Sequence, residues 1–181
     1  MAGFDFIDDI DLKKKLDDSI EYIYALYEKS KNDGESQLYK EETYRVIILY
    51  IISAIEAILL FFYKKRGDKI NYIEYKHDYH LPKEYSYRKK PGLPVVIAIQ
   101  EKLEKKDHQI GLYDLVTFFY SLKLIHQNTV DEILELNDVR NTFHFSKPRT
   151  KKCDISRVES ALNLLIRTIE NAPKALRVKK I

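Results

Sequence analysis

Arg140 and His144 lie four residues apart in the segment TVDEILELNDVRNTFHF, residues 129–145. On a helix this spacing places both side chains on one face, where they can act on a single group. An imidazole that titrates near neutral pH can move a proton. A guanidinium beside it can hold a phosphate through two donors and stabilise the charge that develops there. The pair suffices for metal-free RNA cleavage. The imidazole assists attack by the 2′-hydroxyl or protonates the leaving oxygen, and the guanidinium steadies the phosphorane. Asn141, between them, would hydrogen-bond the substrate or fix the helix end. The competing reading is structural: an arginine and a histidine in a last helical turn meet the negative end of the helix dipole. Pro148, just beyond, marks this as a last turn.

A helical wheel at about 100° per residue sorts the rest of the segment. Asp131, Glu135, Asp138 and Thr142 collect on the expected solvent side, and Leu136, Val139 and Phe143 on an apolar side. Val130, Ile133 and Leu134 begin a third strip that would ordinarily continue apolar. Asn137, Arg140, Asn141 and His144 occupy its continuation instead. Polar groups on a line that starts in a core must find partners. Glu56, a carboxylate inside the apolar run of residues 46–63 (VIILYIISAIEAILLFFY), is the expected partner of Arg140. The alternative is that Glu56 reaches the surface along a helix edge shared with Arg45 and Tyr63. Asn137 would support the same site.

The RNTFH motif near the end of a late helix, its LELNDV lead-in and the apolar helix SAIEAILLFFYKK together resemble the HEPN domains. The resemblance covers most of the chain in helix order, while only the short motif is specific. It implies a compact all-α bundle of about five to six helices, with Arg140, Asn141 and His144 as the site. It further implies a metal-independent ribonuclease or an RNA-binding module without cofactor, of a kind found in toxin, antiviral or RNA-processing systems. Two copies would pair so that two motifs line one cleft, and a regulatory protein partner is compatible with it. The family commonly leaves four to six residues between arginine and histidine, whereas three separate Arg140 from His144. Either a diverged working site or a member that keeps only RNA binding or dimerisation fits that spacing.

The elements that must position these residues are legible as apolar periodicities. A first helix is expected over about 11–30, with Leu12, Leu16, Ile20, Ile23 and Leu26 inward and Asn32-Asp33-Gly34 as its stop. A second runs from about 38 to 65 and ends at Gly67. A tyrosine-rich loop or short hairpin insertion near residues 68–93 follows, in which INYIEY has some strand character. Pro94 suits the first turn of a third helix, about 94–106. A fourth covers about 112–126. Capping boxes Thr129–Glu132 and Ser156–Glu159 would open a fifth, about 130–145, and a last one through Ile169 with Val158, Leu162, Leu165 and Ile166 inward. The expectation is one all-helical domain over 1–181, with a basic tail at Lys174, Arg177, Lys179 and Lys180.

Composition agrees with a folded helical domain. Hydrophobic residues make up 45% and charged residues 33%, too apolar for disorder, and five glycines with five prolines supply little turn chemistry for a many-stranded sheet. A single cysteine, Cys153, excludes an internal disulfide framework and fits a reducing compartment. The acidic start MAGFDFIDDID lacks the features of a signal peptide, so a cytoplasmic location is expected. The run 46–63 has the length of a membrane span, but Glu56 would be costly in lipid, and a buried core helix without membrane attachment is the reading adopted. A net charge of +3 permits a nucleic-acid partner without requiring one.

Tyr72 to Lys90 interleaves five tyrosines with basic residues. Tyr85 and Tyr87 could stack on bases while Arg88, Lys89 and Lys90 meet phosphates, or the arm could pack on its own domain or on a second copy. His77 and His80 lack further metal ligands at matching spacing. His108 and His126 fall near helix ends and are expected at the surface. Lys151-Lys152 would lower the Cys153 pKa, although no base partner for a nucleophile is evident. Phosphate-binding loops, dinucleotide fingerprints and serine-hydrolase elbows are all absent from the sequence.

Overall fold

The computed structural model describes residues 3–32, 34–80, 96–143 and 152–177, with the side chains of 77–80, 96 and 172–177 left aside. The helices are α1 (Ile10–Ser30), α2 (Gln37–Arg66), α3 (Leu112–Ser121), α4 (Gln127–Asn141) and α5 (Ile155–Arg177). Strands β1 (Asn71–His80) and β2 (Val96–Glu104) form a two-stranded antiparallel sheet. The contacts divide the chain into two compact units, 1–68 with 111–181 and 69–110.

The first unit is built around α2. Ser36 caps its start by accepting a hydrogen bond from the Tyr39 amide at 3.2 Å, and Gly67 ends it in the left-handed region at φ 66°. Ile47, Ile48, Ile51, Ile52, Ile55 and Ile58 have no exposed surface. They are covered because α1, α3, α4 and α5 all pack on α2, so a helix apolar all round is what this position needs. Among the described residues α2 is also the one helix long and apolar enough to cross a membrane. α1 buries Leu16 and Ile23 with Leu12, Ile20 and Leu26 half-buried, along the expected stripe. Phe4 and Ile7, ahead of α1, join the core, and Phe6 stacks on Phe62 with ring centroids 5.6 Å apart.

Several boundaries differ from expectation. α3 stops at Ser121 rather than near 126, because the Lys123 amide bonds Tyr120 O at 2.8 Å and the Leu124 amide bonds Phe119 O at 3.0 Å. This is a Schellman closure with Lys123 at φ 57° in the place glycine usually takes. α4 begins at Gln127 behind His126, so Thr129 lies inside the first turn and the Thr129–Glu132 capping box does not form. It ends at Asn141, four residues short of the expected end. In α5 the cap is Asp154, whose carboxylate accepts from the Arg157 amide at 3.1 Å, which displaces Ser156 from that role. The buried stripe of α5 is Val158, Ala161, Leu164, Leu165 and Ile169, while Leu162 is half-buried and Ile166 is 47% exposed.

The second unit corrects the fold class from all-α to helical with a small sheet. The expected third helix, 94–106, is strand β2, paired with β1 from Asn71↔Glu104 to His80↔Val96 with an irregularity between His77 and Tyr79. Val96, Ile97 and Ile99 are β-branched and favour the extended chain once a partner strand is available. The strand character of INYIEY is real and continues to His80.

Candidate functional site

Glu56 sits in the middle of α2 and Arg140 in the last turn of α4, two helices that pack together. Arg140 Nη1 donates to Glu56 Oε2 at 2.5 Å, the partner expected from the sequence. Both side chains are half-buried, at 29% and 27% exposure. The alternative of a shared surface edge is not what α2 shows, since Arg45 and Tyr63 are both buried. Arg140 is therefore oriented by the Glu56 carboxylate through one nitrogen of its planar fork.

Asn137, one turn before Arg140, is half-buried, and its Oδ1 is fully covered without a hydrogen-bond partner. Asn141 ends α4 and is half-buried. His144 lies outside the described residues, as do Tyr85, Tyr87, Arg88, Lys89 and Lys90. His77 and His80 belong to β1, and their side chains are among those left aside. Among the described residues no group of three or more histidine, cysteine, aspartate or glutamate side chains gathers to hold a metal. His108 and His126 are exposed, as expected.

Thr142 departs from expectation. The wheel puts it with Asp131, Glu135 and Asp138 on the solvent side, and those three are exposed, but Thr142 is buried. Its hydroxyl donates to Val139 O at 2.7 Å and accepts from Arg45 Nη1 at 3.0 Å. The cause is Arg45, only 5% exposed, which reaches across from α2 to the end of α4. Sequence reasoning treated Arg45 only as an edge marker. The usable signal was its position eleven residues before Glu56, about three helical turns and hence on the same α2 face. Two polar residues of α2 thus both meet the C-terminal end of α4.

Cys153 is fully buried, and burial pushes its thiol pKa up, with the Arg45 charge opposing this more weakly. The lowering expected from the adjacent lysines is not realised, and Lys152 itself is exposed. In the native state Cys153 should react with a disulfide reagent at a rate set by opening of the structure. Because the folded thiol holds its proton more tightly than the unfolded one, its stabilising contribution is present below the usual thiol range and lost as pH rises above it. Thermal unfolding of the parent and Cys153→Ala between neutral and alkaline pH checks this. The parent's midpoint should fall more steeply at the alkaline end, and parallel curves would contradict it.

Comparison with protein-family models, with curated proteins and with solved structures returns no match.

Proposed function

We propose that this chain is a HEPN-like, metal-independent endoribonuclease in which Arg140 holds the scissile phosphate and His144 transfers the proton. The observation that carries the reading is the Glu56–Arg140 pair, which fixes a guanidinium at the end of α4, four residues before a histidine. In the reaction the ribose 2′-oxygen attacks the adjacent phosphorus and the 5′-oxygen leaves, giving a 2′,3′-cyclic phosphate and a free 5′-hydroxyl. No metal or cofactor is required. Asn141 contacts the substrate or fixes the helix end, and Asn137 supports the polar strip. The resemblance adds a homodimer with paired motifs and a role in defence or toxin-type systems, and a single cysteine fits a cytoplasmic setting.

A second reading has its own support. Glu56 already satisfies Arg140, as a purely structural pair would require, so the chain would be a non-catalytic RNA-binding or interaction module. Incubating purified protein with a mixed-sequence RNA in EDTA separates the two. Cleavage by the parent that both Arg140→Ala and His144→Ala abolish supports the nuclease. RNA retention without cleavage, weakened by neutralising Arg88, Lys89 and Lys90 together, supports the module.

A further inference from the structure

We propose that a cavity in the helical unit, distinct from the Glu56–Arg140 pair, binds a small amphipathic anion: one carboxylate or phosphate group on an apolar body. The cavity measures about 460 Å³ and is lined by residues of α2, α3, α4 and α5 together with the α3–α4 turn. Its size falls within the range of small-molecule sites, roughly 300–1,000 Å³.

The floor is apolar. Ile58 and Phe62 of α2, Phe119 of α3 and Ile133 of α4 line it, and none of them carries a polar atom that an apolar ligand would strand. Lys123 and Arg167 bring positive charge to the lining beside the His126 imidazole, and no carboxylate lines the cavity among the described residues. Arg167 is matched by an ion pair with Glu132. The backbones of Lys123 and His126 bond within the turn, to Tyr120 O and from the Val130 amide, and among the described residues no ion pair engages the Lys123 side chain. A cation would meet the like charge of Lys123, with the nearby Glu132 carboxylate already engaged by Arg167, whereas an anion with an apolar tail would meet Lys123 and the floor together.

The placement of Lys123 adds weight. It stands in the left-handed region at φ 57°, a conformation that strains a residue with a Cβ and that glycine adopts freely. The Schellman closure alone would be served better by glycine, and a lysine stands there instead, beside the cavity. Thr129, in the first turn of α4, also lines the cavity, and no side chain caps that helix start. Its free amides add to the preference for negative charge without being needed to establish it.

The test titrates the full chain with octanoate, octyl phosphate, octylammonium and octanol by calorimetry. At least one of the two anions should bind at least tenfold more tightly than octanol and octylammonium, and the stronger of the two identifies the headgroup. Lys123→Gly should weaken that anion about tenfold, the scale of one charge-assisted contact, and should raise the thermal midpoint because the strained turn relaxes. A raised or unchanged midpoint excludes unfolding as the cause of lost binding, and Lys123→Ala repeats the test without the backbone relief. The proposal is overturned if neither anion binds at millimolar concentration, if octanol binds as well as the anions, or if both Lys123 variants keep the parent affinity. None of these outcomes bears on RNA cleavage, which rests on different residues.

Discussion

Replacing Arg140 by alanine is expected to slow RNA cleavage by about 10²–10³-fold, the scale of losing one preorganised donor to a developing oxyanion. Arg140→Lys keeps the charge but not the planar fork, so it should recover only part of that loss. Glu56→Gln should have a smaller effect, about tenfold and mainly on kcat, because the amide can still accept from Nη1 but no longer holds the guanidinium by charge. The cost in stability is expected to be modest. Exposures of 29% and 27% leave the pair partly screened, so a double-mutant cycle on unfolding free energy should give a coupling of about 1–2 kcal/mol. Single-turnover cleavage and urea unfolding of the three single variants and of Glu56→Gln/Arg140→Ala would measure both quantities. Full activity in Glu56→Gln would leave the pair a structural role only, and full activity in Arg140→Ala would end the nuclease proposal.

What could be read in advance follows from how local each cause is. α2 was legible because eighteen nearly unbroken apolar residues, closed by Gly67, are compatible with few environments besides a core helix or a membrane span. The Glu56–Arg140 contact was legible for a related reason: a carboxylate in that run needs a cation, and the polar strip on α4 offers one. β2 was not legible. VIAIQEKLE mixes β-branched residues with good helix formers, and the deciding factor is its pairing with β1 across an intervening segment. Thr142 was misplaced because a wheel reports only the helix it is drawn on. Its burial comes from Arg45, ninety-seven residues away in sequence. The phase of α5 was off for a similar reason, since Ile166 is as apolar as Leu165 and only the neighbouring helices distinguish them. His144 and the arm from Tyr85 to Lys90, outside the described residues, rest on the sequence alone.

The α2 core carries the other large expected effect. Ile51→Ala and Ile55→Ala should each cost about 2–5 kcal/mol of unfolding free energy, the transfer of the lost methyl groups plus the cavity left behind. Both isoleucines have no exposed surface, so neighbouring side chains have little room to collapse into the space. A domain with about 5–15 kcal/mol in total could lose much of its stability to the double variant, although neighbouring cavities need not add linearly. Ile166→Ala, at 47% exposure on α5, should cost well under the core value, which makes it an internal control of equal chemistry. The comparison also tests what solvent α2 faces. If lipid covered it, truncating an isoleucine would remove no burial from water, and the two core variants would resemble the exposed one. Urea titration of all three in detergent-free buffer separates the cases. Losses of several kcal/mol at residues 51 and 55 with little at 166 place α2 at the centre of a water-soluble unit, and equal small losses would contradict the packing described for α2.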